Sequence, residues 1–326
     1  MLPDKLHQLD IFDPTSYPTR RDEDWKYSDL SRMLRAVPED LILPASGVSR
    51  LEHDGWTEER YSTHGHAKVI VGSQGERELS VAAGDRRVVL EVYEGGGGYV
   101  VNSTTHITLG EGASLTRIVI LDEPEEAVSV RRSTVETAPG STFKQYVFST
   151  GAKFQRFETH VSHAGHGAHV EMNGAYLLKD RRHFDLTTRV THGQIDGTTA
   201  QLIKGLVRDT ATGVFQGRIL VERGADGTDA RMRHQALILN DGAHIRAKPE
   251  LEIYADDVQC AHGNTIGALD EEALFFAMSR GIPEDAARAM LTQAFVLPVA
   301  DLIEDEDLRE KVIEFLERHT GGFHGL

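Results

Sequence analysis

The chain has 326 residues, and its 51 acidic against 35 basic side chains give a formal net charge of −16. This excess of negative charge argues against partners such as nucleic acid or an anionic membrane, because binding to either depends on Lys and Arg. A hydrophobic content of 40% is ordinary for a globular protein with a packed core. The single cysteine, Cys260, excludes an internal disulfide framework and suits a reducing compartment. Because no apolar segment reaches the ~18 residues of a membrane span, we expect a cytoplasmic protein.

Residues 1–64 are predicted to form an N-terminal cap of helical or irregular structure. Pro, Asp and Arg are mixed in its first part, where a helical pattern of any length is absent. A short amphipathic piece follows, in which Trp25 and Leu30 can both face a core. We therefore treat this region as a cover for the rest of the chain.

Short runs of alternating polarity fill residues 65–269. Runs such as 87–93 and 116–121 have about the mean length of a β-strand and are separated by Gly, Asp, Asn or Pro. No helical pattern lies between them, which argues against βαβ folds. This region is predicted to be a β core.

One turn pattern recurs in the β region: Gly, a small residue, any residue and a large apolar residue. It begins at Gly112, Gly140, Gly167 and Gly242, so the positions differ by 28, 27 and 75 residues, and 75 is three times 25. A period near 25–28 residues is typical of a β-helix built from coils of three short strands. The repeat alone leaves a β-sandwich or a barrel equally open.

Helical signals replace the strand pattern over residues 270–326. Asp270 is placed as an N-cap, Gly281 as a stop, and Pro283 in the first turn of a second helix. A third helix is predicted over residues 305–318, with apolar side chains on one face. The chain is therefore mainly β, with a short N-terminal cap and a C-terminal helical domain.

The segment 248–265 is the most unusual in chemical terms. It holds the only thiol, Cys260, together with His262 and four carboxylates. On a strand, residues two apart project from the same face, so Cys260 and His262 can share a ligand. A thiolate and an imidazole together favour iron and other soft or borderline metals. The alternative is a buried cysteine beside a hydrogen-bonded core histidine.

Further histidines are secondary candidates. His234 and His244 lie about one coil before Cys260, so stacking of coils can bring them near His262. A second group recurs every third residue, and the glycines at its centre predict a turn that places its two ends on adjoining strands. Its members are His160, His163, His166 and His169.

Two blocks of the sequence resemble the SufB/SufD family of the SUF iron–sulfur cluster assembly system. The first block is Trp25-Lys26-Tyr27 with its neighbours, which is similar to a motif of one branch of that family. The second runs from Lys248 to Ile282 and contains Cys260-Ala261-His262-Gly263. The second block is long and unusual, which makes the resemblance specific.

The resemblance implies a fold, partners and a site. The family fold is a right-handed parallel β-helix followed by a helical domain. The branch that this chain resembles is not known as an enzyme, so the resemblance implies a non-catalytic scaffold subunit. This chain would pair with a SufB-like paralogue through the β-helices and bind the ABC-type ATPase SufC through its C-terminal helices. The family's histidine at the subunit interface corresponds to His262, and it is implicated in acquiring iron or building the nascent cluster. A homodimer of the isolated chain is a further expectation, because an exposed strand edge has unpaired backbone groups that a second copy can bond.

One cysteine cannot complete the coordination shell of an iron–sulfur cluster, which takes four thiolates or thiolates with His replacements. The ligands must then come from both sides of an interface, or this chain only positions iron. We expect no cofactor in the isolated chain. An ordinary thiol is only ~3% thiolate at neutral pH, and the nearby acids offer Cys260 no stabilising cation. His262 is therefore the first candidate for the metal or cluster site, with Cys260 as its neighbour.

Two alternatives from other classes remain open at this point. A cytoplasmic β-helix enzyme acting on acidic polysaccharide would use the carboxylates of Glu250, Glu252, Asp256 and Asp257. The negative net charge opposes that idea, because it would repel such a polymer. A His-rich metalloenzyme of barrel type is the second alternative. ATP hydrolysis by this chain is not expected, because the sequence has no Gly-x-x-x-x-Gly-Lys-Ser/Thr loop.

Overall fold

A computed structural model describes residues 9–10, 13–35, 45–64 and 72–321. The strands form two sheets, and successive strands of the chain alternate between them. The nine-stranded sheet contains, in spatial order, β1 (Ala45–Glu52), β2 (Thr57–His64), β4 (Arg86–Gly96), β6 (Ser114–Asp122), β8 (Thr142–Ser149), β10 (His169–Leu178), β12 (Thr198–Val207), β14 (Thr228–Ile238) and β16 (Val258–Gly267). The seven-stranded sheet contains β3 (Gly72–Val81), β5 (Val100–Leu109), β7 (Val128–Glu136), β9 (Phe154–His163), β11 (His183–His192), β13 (Thr212–Val221) and β15 (His244–Ile253).

The two sheets are the walls of a parallel β-solenoid of about seven turns, which confirms the predicted β-helix class. Each coil has one strand in each sheet, so the prediction of three strands per coil is wrong. The coil length is close to that predicted: Leu115 pairs with Phe143, and Phe143 with Val170, at spacings of 28 and 27 residues. Strands of up to 11 residues fill the coil in two passes and leave room only for tight corners.

The recurring glycines explain one of these corners. Gly112, Gly140 and Gly167 all have φ between +62° and +64°, a left-handed conformation in which a side chain is strained. They stack on one another, because the N–H of each donates to a carbonyl of the next corner at 2.9–3.0 Å. Gly242 does not belong to this stack. It leads into β15 of the other sheet, so its distance of 75 residues was a coincidence of spacing.

The first two strands differ from the rest of the solenoid. β1 and β2 form an antiparallel hairpin, and β2 pairs in parallel with β4, so that the hairpin extends the nine-stranded sheet. These strands lie inside residues 1–64, where helical or irregular structure is predicted. The predicted boundary between cap and core adjoins residues 65–71, which lie outside the described residues.

Three helices follow the last strand: α2 (Glu271–Ser279), α3 (Glu284–Ala300) and α4 (Glu306–Thr320). Asp270 accepts hydrogen bonds from two backbone N–H groups of α2, which confirms it as the N-cap. α3 and α4 pack their apolar faces on the outer face of the nine-stranded sheet. In the described part of the chain, no helix is both long and apolar enough to cross a bilayer.

The N-terminal segment covers the outer face of the other sheet. We call residues 13–35 the strap; it includes a short helix, α1 (Leu30–Leu34). Trp25 is buried against Phe154, and the guanidinium of Arg156 lies 4.2 Å from its ring. Ser28 reaches His183 at 3.1 Å and also contacts the Asp185 carboxylate. The strap therefore shields a buried group of charges from water.

The Trp25→Ala substitution tests this role. It is expected to lower the free energy of unfolding by about 3–5 kcal/mol, because a large buried ring is replaced by a cavity beside Arg156. Lys26→Ala is the matched control, since Lys26 is exposed in the next position. Denaturant unfolding measures both. If Trp25→Ala lowers the free energy of unfolding no more than the small amount expected for Lys26→Ala, the strap contributes little to the fold.

Candidate functional site

Cys260 and His262 lie on β16, which is the last described strand of the nine-stranded sheet. Cys260 pairs with Ala230 and His262 with Met232, and both partners are buried inside the solenoid. Paired residues of parallel strands project to the same face. The prediction that Cys260 and His262 share a face is therefore confirmed, and that face is the interior of the coil.

The position of this coil makes the site accessible. Among the described strands, none lies beyond β16, so its inward side chains are not covered as those of β14 are. His262 is exposed, whereas Cys260 is half-buried and packs against the solenoid core. The last strand of the other sheet, β15, ends beside it. The two strands give the solenoid an open end, defined here by β15 and β16.

Burial raises the pKa of the Cys260 thiol above its ordinary value. A backbone hydrogen bond with Ala230 acts in the opposite direction, and the negative charge of Asp229 adds to the increase. Among the described residues, no Lys or Arg side chain contributes to lowering it. The free chain therefore holds Cys260 as a neutral thiol at neutral pH, and a metal or a partner's cation would have to stabilise the thiolate.

His234 is part of the core. Its Nε2 lies 2.9 Å from the Tyr176 hydroxyl, and its Nδ1 lies 2.7 Å from Oδ1 of Asn264. Burial lowers the pKa of His234 to about 4, although the bond to Asn264 opposes that change. With both ring nitrogens bonded, His234 has no free nitrogen for a ligand. It does lie next to the site as predicted, because Asn264 follows His262 by two residues on the same face of β16.

His244 does not approach this site. It is the first residue of β15 and pairs with Thr212 in the seven-stranded sheet. Its side chain is exposed. The sequence spacing placed it one coil from Cys260, but each coil has two strands and His244 begins the other one.

The four predicted carboxylates do not converge. Glu250 lies 3.2 Å from Nζ of Lys248, and Glu252 lies 2.7 Å from the Arg218 guanidinium. Lys248 also binds Glu23 of the strap at 2.6 Å, so these side chains lie on the outer face of the seven-stranded sheet. Asp256 and Asp257 are exposed in the turn before β16. Glu250 and Glu252 are thus each held by a cation, and the other two carboxylates lie in a turn.

The histidines that recur every third residue also separate. His160 contacts Glu158, while His163 stacks on His192 with ring centroids 4.1 Å apart. His169 begins the next strand, where it binds Glu171 at 2.7 Å. The turn between them is confirmed, but β9 and β10 belong to different sheets. Over residues 9–10, 13–35, 45–64 and 72–321, no group of three or more His, Cys, Asp or Glu side chains could hold a metal ion.

Sequence reasoning did not identify two residues of this region, Tyr176 and Asn264. Asn264 had a usable signal, because it continues the alternation of Cys260 and His262 on one strand face. Tyr176 had none, since it lies 58 residues from His234 in the sequence.

The pH dependence of Cys260 alkylation tests the raised pKa. Iodoacetamide reacts with the thiolate, so the midpoint of the rate profile is expected above the ordinary value of about 8.5 in the folded chain. In the urea-unfolded chain the midpoint should fall to that value, because burial is lost. Cys260 is the only cysteine, so the signal has one source. A folded midpoint at or below the unfolded one would contradict the assignment.

Comparison with known proteins adds independent information. Residues 65–295 match the family described as SUF system FeS cluster assembly, SufBD core domain. A SufBD family protein of Synechocystis is 30% identical over 222 residues, which are 68% of this chain and 49% of that protein. The iron–sulfur cluster assembly protein SufD of Escherichia coli is 29% identical over 252 residues, 75% of this chain and 58% of its own.

A SufBD family protein of Mycobacterium bovis is 28% identical over 262 residues, 78% of this chain and 63% of its own length. The chain thus spans from about half to just under two thirds of the length of each of these three relatives. The matched region contains strands β3 to β16, and thus the open end, together with α2 and most of α3. On this match, the chain belongs to the SufBD family of the SUF iron–sulfur cluster assembly system.

Proposed function

We propose that the chain is a non-catalytic scaffold subunit that presents iron or a nascent iron–sulfur cluster at the open end of its solenoid. The observation that carries the proposal is the exposed His262 on the interior face of the terminal strand β16, with Cys260 two residues away. Family membership and the names of the relatives, which are iron–sulfur cluster assembly proteins, support the same role.

The open end is suited to a partner with the same architecture. A strand at a sheet edge offers unpaired N–H and C=O groups, which a strand of another chain can bond. Exposed apolar side chains, Ile253, Tyr254 and Ile266, lie on or beside β15 and β16. A SufB-like paralogue could continue both sheets across this end. A second copy of this chain would use the same edges when the paralogue is absent.

The residues at the open end supply only part of a coordination shell. His262 offers a nitrogen, and Cys260 offers sulfur once it is deprotonated. An iron–sulfur cluster takes four such ligands, so the others must come from the paired subunit. The cluster is therefore cargo, held between two chains and passed on.

The His262→Ala substitution tests this site. The tagged chain, isolated from its own cells, is expected to bring down the paralogue and the ATPase in both forms. Bound iron and acid-labile sulfide should fall roughly tenfold in the variant, because a ligand is lost. His166→Ala is the matched control, since it removes an exposed histidine from the corner between β9 and β10, away from the open end. If His262→Ala keeps the cluster content of wild type, His262 is not a ligand and has only a structural role.

The C-terminal helices offer a separate surface for the ATPase SufC. Phe275 and Phe276 on α2 are 73% and 60% exposed, and Met278 is also exposed. α2 contacts α3 through Leu274 and Ala277, and the two exposed rings take no part in that contact, although the Arg280 guanidinium lies 4.9 Å from the centre of the Phe276 ring. A contiguous apolar patch on a soluble domain is typical of a protein interface. We assign the docking of SufC to the exposed side of α2.

The Phe276→Ser substitution tests the docking assignment. It should leave the free energy of unfolding within about 0.5 kcal/mol of wild type, because the ring is exposed. The affinity of the purified chain for SufC, measured by calorimetry, should fall at least tenfold, as expected for a central aromatic contact. Leu302→Ser is the control, because Leu302 is exposed in the loop between α3 and α4. Unchanged binding by the Phe276 variant would remove α2 from the interface.

A further inference from the structure

The terminal strand β16 must hold His262 in place with neighbours on one side only. Its backbone pairs with β14, but the side chains from Gln259 onwards are largely exposed. Gly263 follows His262 directly, and no atom lies within 4 Å of the position its Cβ would take. Glycine has wide backbone freedom, so the strand is least constrained beside the residue whose position matters most.

Asn264 supplies a constraint immediately after that glycine. Its Oδ1 lies 2.7 Å from Nδ1 of His234, one coil below. This bond ties the side chain of Asn264 to a buried side chain of that coil, in addition to the hydrogen bond between the Cys260 thiol and the backbone of Ala230. Asn264 and His262 are two residues apart on the same face, so a fixed Asn264 fixes the backbone within ~7 Å of His262.

His234 is itself firmly held. It is fully buried, and its ring stacks on Phe215 with centroids 5.0 Å apart. Oδ1 of Asn264 can only accept, so Nδ1 of His234 carries the proton and donates it. Nε2 then accepts from the hydroxyl of Tyr176 at 2.9 Å. The hydrogen bonds run in one direction, from Tyr176 through His234 to Asn264.

Tyr176 reaches His234 by crossing a complete strand. It lies on β10 and His234 on β14, and β12 is between them. The paired residue on β12 is Gly205, and a Cβ there would lie 2.1 Å from Cζ of Tyr176. Gly213 makes room in the same way, with 2.6 Å between its Cβ position and the ring. Two glycines thus provide the space for this contact.

We propose that Tyr176, His234 and Asn264 are positioning residues that hold strand β16 so that His262 is presented at a fixed place on the open end. This inference rests on the proposed function, because His262 matters only if the open end receives iron or a cluster. We do not propose that any of the three residues contacts the iron or the cluster. Their effect passes through the backbone of β16.

The experiment separates this role from the function it serves. Hydrogen exchange of the isolated full-length chain should show the β16 amides of Asn264→Ala exchanging roughly three- to tenfold faster than in wild type, because one hydrogen bond is lost. The conservative Asn264→Asp, which keeps an acceptor oxygen, should restore slow exchange. Gln235→Ala is the control, since it shortens the neighbouring side chain on β14 that points to the opposite face. Amides of β10 and β12 should be unchanged throughout.

Cluster content of the complex isolated from cells is the second readout. Asn264→Ala should keep its partners but lose several-fold in iron and acid-labile sulfide, and Asn264→Asp should recover most of both. Wild-type exchange in Asn264→Ala would overturn the positioning role, whatever happens to the cluster. Faster exchange with normal cluster content, in a complex that His262→Ala impairs, would overturn it as well. If His262→Ala itself has no effect, the proposed function fails, and the exchange data alone then decide whether Asn264 holds the strand.

Discussion

The parallel pairing of each coil with the next is the interaction on which the whole molecule depends. A strand in a parallel sheet needs a neighbour on each side to satisfy its backbone groups. The described N-terminal end of the nine-stranded sheet meets this need with the antiparallel hairpin of β1 and β2. At the other end, β15 and β16 present their outer edges and their interior side chains together. The proposed function therefore rests on a solenoid whose last coil, among the described residues, has no cover.

The outer faces of the solenoid have different covers, and this limits where partners can bind. α3 and α4 occupy the nine-stranded sheet, while the strap occupies much of the seven-stranded sheet. The interior is closed by packing and by buried ion pairs such as that of Arg117 with Glu91, at 2.8 Å. The open end and the exposed side of α2 lie outside these covers and carry exposed apolar side chains. In the proposed function, the open end serves the paralogue and the exposed side of α2 serves the ATPase.

Local chemistry was readable from the sequence, whereas contacts across coils were not. Asp270 was identified as an N-cap because a cap needs only its own next three residues. The shared face of Cys260 and His262 was predictable for the same reason, since alternation along a strand is local. The burial of His234 was not, because it depends on Phe215 and Tyr176 in other coils. The prediction of three strands per coil was wrong, because a repeat period fixes the length of a coil but not how many times the chain bends within it.

The crossing of Tyr176 over Gly205 has a consequence for how this repeat could evolve. Solenoids are commonly thought to grow or shrink by duplicating or deleting a unit, because each unit contacts only its neighbours. Here the ring on β10 contacts β14 across β12, so a unit inserted between them would separate the hydroxyl from His234, and a deletion would remove the glycine that admits it. The coils from β10 to β14 therefore form a block that can be inherited only as a whole. Variation in length is expected to be tolerated in the earlier coils and excluded from this block.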